Sequence, residues 1–386
     1  MMQRPVRARL QAACVLQLAA IILAPILLSG CYIAHGAYEE ARILWNRKPI
    51  DDVLARKDLP VDTREKLETV LAVRKFADEK LGENVGGAYE TIAPVDKNAV
   101  VYVVMAAPRD SLVPYTWWFP IVGSVPYRGY FDENDAKAEA ASLEAQGLDT
   151  MVRPSVAFSS LGFFSDPVLT NLLKLDRVEL AGVLIHELFH RTYYLYSDAM
   201  FDESAANYVG SAGAVAFFAA TDGESAPSTI AARGILDSDL KFARFLLKEQ
   251  ARLLDIYMAN LPKDELGKRR EAAFAAIKAD YAALEPGLSG LERFDLDKQP
   301  LNNAVLVNYL IYFHQLDNFA ALDRMNHGDL KATIAQIISI AKAHPDDPFY
   351  AISQAVRSAP AAPADSYSLS ASAITRDNSA SQPPKK

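Results

Sequence analysis

The chain has 386 residues, 51% of them hydrophobic, with 40 basic against 48 acidic side chains and a net charge of −8. That apolar content excludes a largely disordered chain. The acidic balance argues against nucleic acid as a partner, and two cysteines exclude a disulfide scaffold.

Residues 1–30 read as a secretion signal. Arg4, Arg7 and Arg9 form a basic start, and residues 10–28 are almost wholly apolar. The run is long enough to span a bilayer, so a transmembrane anchor is the alternative. Leu28-Ser29-Gly30-Cys31 resembles the bacterial lipobox, which implies that Cys31 is lipidated and becomes the new N-terminus. Tyr32 follows where an Asp would resemble an inner-membrane retention signal. The resemblance therefore implies a lipoprotein of the outer membrane facing the periplasm. Removing residues 1–30 would leave 37 basic against 48 acidic side chains, a net charge of −11. Membrane contact is then expected through lipid and not through charge.

Residues 31–37 read as a linker, 38–175 as an N-terminal α+β part, 176–357 as a metal-binding and helical part, and 358–386 as a polar tail too poor in apolar residues to order itself. The body, about 325 residues, forms one large domain or two.

In chain order, residues 38–56 read as a helix with Ile43, Leu44 and Trp45 on one face. Residues 63–81 read as another, with Asp62 as N-cap. The β-branched run 98–105 reads as a strand, and 117–127 as a second, ending near Tyr127-Arg128-Gly129-Tyr130. Residues 133–147 read as a helix closed by Gly147, and 149–158 as a strand. This is a small mixed sheet ahead of the next helices. Beyond residue 221 comes a loop, then helices over 237–260 and 263–284 turned at Leu261-Pro262. Further helices are expected over 302–319 and 329–343, and Pro348 suits the first turn of a last one. The expected fold is α+β and helix-rich.

The chemistry concentrates in Ala181-Gly182-Val183-Leu184-Ile185-His186-Glu187-Leu188-Phe189-His190. Histidines at i and i+4 leave one helical face about 40° apart, close enough to hold one metal ion. Glu187 beside them reaches water at that ion, the arrangement of a zinc metallopeptidase. A satisfied core histidine pair is the plainer reading. Thirteen residues after His190, Glu203 sits in a second apolar-periodic stretch, with Ser197 or Asp198 as N-cap. Antiparallel helices would bring Glu203 opposite the histidines. His, His and Glu with one open position is a catalytic zinc set. Asn207, one turn on, is placed to orient a ligand from behind.

His186-Glu187-Leu188-Phe189-His190 with Phe201-Asp202-Glu203-Ser204-x-Ala206 resembles the glutamate-zincin metallopeptidases. More widely, residues 28–356 resemble a family of bacterial lipoproteins known as predicted aminopeptidases. Trp118-Phe119-Pro120-Ile121-Val122-Gly123, Tyr127-Arg128-Gly129-Tyr130-Phe131, Leu161-Gly162-Phe163-Phe164-Ser165-Asp166-Pro167 and Leu301-Asn302-Asn303-Ala304 carry that likeness. It implies one zinc ion held by His186, His190 and Glu203, with Glu187 catalytic and a peptide or protein as substrate. It also implies an edge strand bordering the cleft, for which residues 154–165 are the candidate. Asn207 departs from the thermolysin-like pattern, which has Asp there, and the gap to Glu203 is shorter.

Donors for a developing oxyanion are sought among Tyr193, Tyr194, Tyr309, Tyr312 and His314, each of which also suits simple packing. Arg128 suits either a substrate carboxylate or a surface ion pair. An aminopeptidase needs a carboxylate for the substrate ammonium. Asp132, Glu133 and Asp166 are the acids near the expected cleft, so exopeptidase and endopeptidase both stand. The competing function is an idle zinc-fold scaffold or chaperone, against which Glu187 speaks, since pure binding needs no general base.

Overall fold

A computed structural model describes residues 38, 41–95, 101–119, 123–155, 165–290, 294, 296 and 299–358. The signal, Cys31 and the tail beyond 358 lie outside the described residues, as does most of the candidate edge strand 154–165. Residues up to Arg47 form one unit and residues from Lys48 onward another.

The helix expected over 38–56 is not continuous. Residues 41–45 are helical, β1 (Lys48–Pro49) is a short strand, and α1 (Ile50–Leu54) follows. Pro49 has no N–H to continue a helix and stands at the N-cap of the next one. α2 runs Val61–Phe76 and continues into a π-helical turn, Ala77–Leu81. Its N-cap is Pro60, so Asp62 lies in the first turn instead of capping it.

Three small sheets follow. β2 (Thr91–Ala93) pairs antiparallel with β1 and parallel with β8 (Val168–Leu169). β4 (Trp117–Phe119) and β5 (Gly123–Val125) form a hairpin where a single strand was expected, and Gly123 takes φ 73°. The third sheet is antiparallel in the order β6 (Arg128–Tyr130), β3 (Val101–Pro108), β7 (Leu148–Ser155). α3 (Glu133–Ala145) covers one face of it. Asp132 caps this helix by accepting from Asn134 N, and Gly147 at φ 87° turns the chain into β7. Val104, Ala106, Trp117, Ala136, Ala140 and Leu143 form the core between them. Strand residues alternate faces, so β7 sends Leu148 and Val152 into that core and Asp149, Met151 and Arg153 to the other side.

The rest is helical: α4 (Arg177–Thr192), α5 (Ala199–Thr221), α6 (Pro227–Met258), α7 (Lys263–Leu284), α8 (Asn303–Phe313), α9 (Leu316–Met325), α10 (Leu330–Ala343) and α11 (Pro348–Ser358). α6 begins ten residues earlier than expected because Pro227 fits its first turn. The single helix expected over 302–319 breaks at His314–Gln315, where Gln315 takes φ 51°. The outcome is a helix-rich α+β fold with small sheets. No described helix is long and apolar enough to cross a membrane.

α5 is the central element, with every residue from Phe201 to Ala219 buried. A helix buried on all sides has to be largely apolar, with its polar groups partnered, and slender where neighbours cross. Its Ala205, Ala206, Gly210, Ala212, Gly213 and Ala214 supply that slenderness. At Gly210 an added Cβ would stand 2.7 Å from the Gly182 carbonyl oxygen and 3.0 Å from His186 Cβ. The absent side chain is what lets α4 approach.

Candidate metal centre

α4 begins at Asp176, whose carboxylate accepts from Val178 N and Glu179 N at 2.8 Å each. Leu180, Ala181, Leu184, Ile185, Leu188 and Phe189 are buried at the helical period. That stripe aims His186, Glu187 and His190 the other way, toward the centre. The six residues after α4 turn the chain back, and Asp198 caps α5 by accepting from Phe201 N at 3.0 Å. Asp202 holds the turn: both its oxygens accept from Leu195 N, at 2.8 and 3.0 Å. Burial pushes this carboxyl up to about 8, against the pull of the Leu195 amide and of His190. Because Asp202 is pinned, Glu203 enters the centre in a fixed register.

There Glu203 Oε2 stands 3.3 Å from His186 Nε2 and 3.4 Å from His190 Nε2, and the two nitrogens are 3.1 Å apart. Ligands about 2.0–2.1 Å from a tetrahedral metal lie about 3.3 Å from one another. The three atoms therefore have the spacing of a zinc site's ligands. Among the described residues this is the one His/Cys/Asp/Glu group with that potential. Its charge tells the same story. Burial would push the His190 imidazole down, but the Glu203 carboxylate, with Glu187 and Asp202 beyond, raises it to about 9. Glu203 is held well below the carboxylate range by the two imidazoles, although burial opposes this. Three converging lone pairs demand a cation, and without a metal a proton takes that place.

Glu187 lines the adjoining cavity beside His186. Burial raises its carboxyl, the two imidazoles pull it back, and Glu203 and Asp166 raise it further. Glu203's other oxygen, Oε1, accepts from the Tyr127 hydroxyl at 3.3 Å. Sequence reasoning did not single out Tyr127 for the site. The signal was strand alternation: Arg128 pairs opposite Val104 and so shares its face, which leaves the preceding Tyr127 to point the other way.

The same alternation places Arg128, for which the sequence leaves both a substrate carboxylate and an ion pair open. It lies on the α3 side, 3.7 Å from Glu139 and 5.2 Å from the Tyr130 ring, an ion-pair residue away from the cluster. Tyr194 does join the centre, its ring 5.9 Å from that of His190. Tyr193 does not: its backbone is extended, which sends neighbouring side chains apart, and Lys342 of α10 covers its ring. His314 also falls outside. It packs on Phe349 at the end of α8, and burial lowers its imidazole to about 4. Tyr312 stacks on His186 with ring centres 6.3 Å apart, and Tyr309 lines the cavity one turn earlier. Asn207 lines it too and donates from Nδ2 to the Tyr312 carbonyl at 3.1 Å, which ties α5 to α8 beside the centre. Asp132 and Glu133 are engaged at the start of α3, by the cap and by Lys137 at 2.7 Å.

The cavity has a volume of about 680 Å³. β7 forms one wall through Met151–Ser155, so the strand beside the cleft begins earlier than the 154–165 expected.

Residues 31–348 match a protein family described as "Putative aminopeptidase". The chain belongs to this family. No curated protein and no solved structure matches it. Membership in the aminopeptidase family and the His186–His190–Glu203 triad together class the chain as a metallopeptidase.

Proposed function

We propose that this protein is a single-zinc peptidase of glutamate-zincin type, with His186, His190 and Glu203 as ligands and Glu187 as general base. The observation that carries the proposal is the 3.1–3.4 Å triangle of ligand atoms with a buried glutamate beside it, at the end of a peptide-sized cavity. Bound zinc supplies Lewis acidity and makes water a nucleophile at neutral pH.

The chain's own residues do the rest. Glu187, raised by burial, is placed to take the proton of the attacking water and pass it to the leaving amine. Tyr127 fixes the second oxygen of Glu203, so that Oε2 stays turned toward the histidines. Tyr194 and Tyr312 flank the centre and are the donors available to a developing oxyanion. β7 is the outer strand of its sheet among the described residues, and its far edge is the candidate to offer backbone groups to an extended peptide.

The family description supports an aminopeptidase. The sequence before Cys31 supports a lipid-anchored protein of the bacterial envelope, and Tyr32 after it supports the outer membrane, facing the periplasm. The test is to purify the full chain without chelator, measure zinc, and follow a peptide library by mass spectrometry. About one zinc per chain and time-dependent cleavage are expected. Less than about 0.2 zinc per chain would sink the reading, because such sites hold metal tightly. Zinc without cleavage would favour the idle scaffold.

A further inference from the structure

The cavity wall carries a cation that the steps above do not employ. Arg153 lies on the face of β7 directed at α8, and it lines the same cavity as His186 and Glu187. Its Nε donates to Asn308 Oδ1 at 2.8 Å and its Nη2 to the Tyr312 hydroxyl at 3.1 Å. The guanidinium carbon is 5.6 Å from the centre of the Tyr312 ring. All these partners are neutral. Among the described residues no carboxylate pairs with Arg153, whereas Arg74, Arg244, Arg252 and Arg270 each have one.

An arginine keeps its charge wherever it is placed, and its fork suits a planar carboxylate. Here two donors of the fork are tied down and Nη1 has no partner among the described residues, so the group is held in position before anything binds. A preorganised cation in a partly buried wall, whose direct partners are all neutral, is matched by an anion that arrives with the substrate.

We infer that Arg153 receives a free carboxylate of the substrate, and that the preferred substrates are short peptides with an unblocked C-terminus. This rests on the peptidase reading for its chemistry, although the binding it describes does not require turnover. The spacing limits the length. Steps of 5.6 Å from guanidinium to Tyr312 and 6.3 Å from Tyr312 to His186 keep Arg153 within about 12 Å of the His186 ring. An extended peptide advances about 3.3–3.6 Å per residue, which leaves at most about three residues between the metal centre and the carboxylate. Leu175, Val178, Val183, Ala214 and Ile235 line the cavity as well, so its walls accept apolar side chains beside the polar groups.

Binding of matched tripeptides, Leu-Ala-Phe and Leu-Ala-Phe-amide, tests this by calorimetry on the zinc-loaded full chain carrying Glu187→Gln, which should bind without cleaving. A third peptide, Leu-Ala-Glu-amide, carries its carboxylate only on the side chain. The free acid is expected to bind about 10–100-fold more tightly than the amide, the scale of a charged hydrogen bond. Adding Arg153→Gln should bring that ratio to about one, and Arg153→Lys should leave it in between. A purely structural Arg153 would weaken both peptides equally and leave the ratio unchanged. Equal binding of acid and amide before Arg153 is changed, or no binding of either, overturns the inference. Tighter binding of Leu-Ala-Glu-amide than of the free acid would also overturn it, by assigning the site to an acidic side chain. If the acid is preferred but the unmutated protein cuts no peptide, the peptidase reading fails and the carboxylate site stands.

Discussion

Gly210→Ala tests how the two ligand-bearing helices are held together. The new Cβ would lie 2.7 Å from the Gly182 carbonyl oxygen, 3.0 Å from His186 Cβ and 3.3 Å from His186 N. Backbone and Cβ atoms cannot rotate aside, and ordinary contact begins at 3.4 Å. α4 and α5 must therefore part by up to about 0.7 Å, an overpacking that costs about 1–3 kcal/mol. His186 rides on α4 and Glu203 on α5, so the triangle opens by more than the ~0.2 Å a metal site tolerates. Zinc affinity should fall about 10–100-fold, the loss usual when the support of a ligand is disturbed. Competition against a chelator of known affinity measures this, and thermal melting of the metal-free protein measures the packing cost. Gly213→Ala is the control. Its Cβ would meet Ile185 Cγ2 at 2.8 Å and Cδ1 at 3.0 Å, side-chain and not backbone atoms, so the strain falls first on the Ile185 rotamer. That variant should melt lower yet keep its zinc affinity within about threefold. Unchanged affinity in Gly210→Ala, or an equal loss in Gly213→Ala, would refute the reasoning.

Two further outcomes follow from the same picture. The metal-free centre holds a proton, with His190 raised to about 9 by the Glu203 carboxylate against burial. Metal must displace it, so affinity should rise about tenfold per pH unit from pH 6.5 to about 9, with close to one proton released per zinc. The stability this proton lends the metal-free protein is complete below about 6.5, the free histidine value, and is lost as pH rises through about 9. Titrations in buffers of different ionisation enthalpy count the protons, and zero release would contradict the assignment. Separately, Cys31→Ser should block lipidation and leave uncleaved precursor or protein outside the membrane fraction. Normal retention with a cleaved signal would refute the lipobox reading.

Much of the site was legible in the sequence because its signals are local. His186, Glu187 and His190 share one helical face, and Glu203 follows on a helix whose cap, Asp198, is a recognisable residue type. What escaped depends on strand pairing and on contacts between distant segments. Tyr127 reaches Glu203 across 76 positions, and Arg153 reaches Tyr312 across 159. Arg128 stood out as the arginine of a likeness-bearing segment, yet its register opposite Val104 sends it to the α3 side. The single helix expected over 302–319 was drawn through apolar residues on both sides of Gln315. Side-chain periodicity alone does not reveal the left-handed backbone that divides it. The small residues of α5 spelled out burial, but only the structure assigns Gly210 to the spot where His186 passes.

The claim that Glu203 holds metal while Glu187 handles protons is tested most directly by making Glu187→Gln and Glu203→Gln side by side and measuring zinc content and peptide turnover in each. Glu187→Gln should keep about one zinc per chain and an unchanged fold while turnover falls at least ~10²-fold, the usual loss for a general base. Glu203→Gln should lose zinc and turnover together. Zinc lost from Glu187→Gln but kept by Glu203→Gln would reverse the two roles, and no change in either would contradict a catalytic metal centre here.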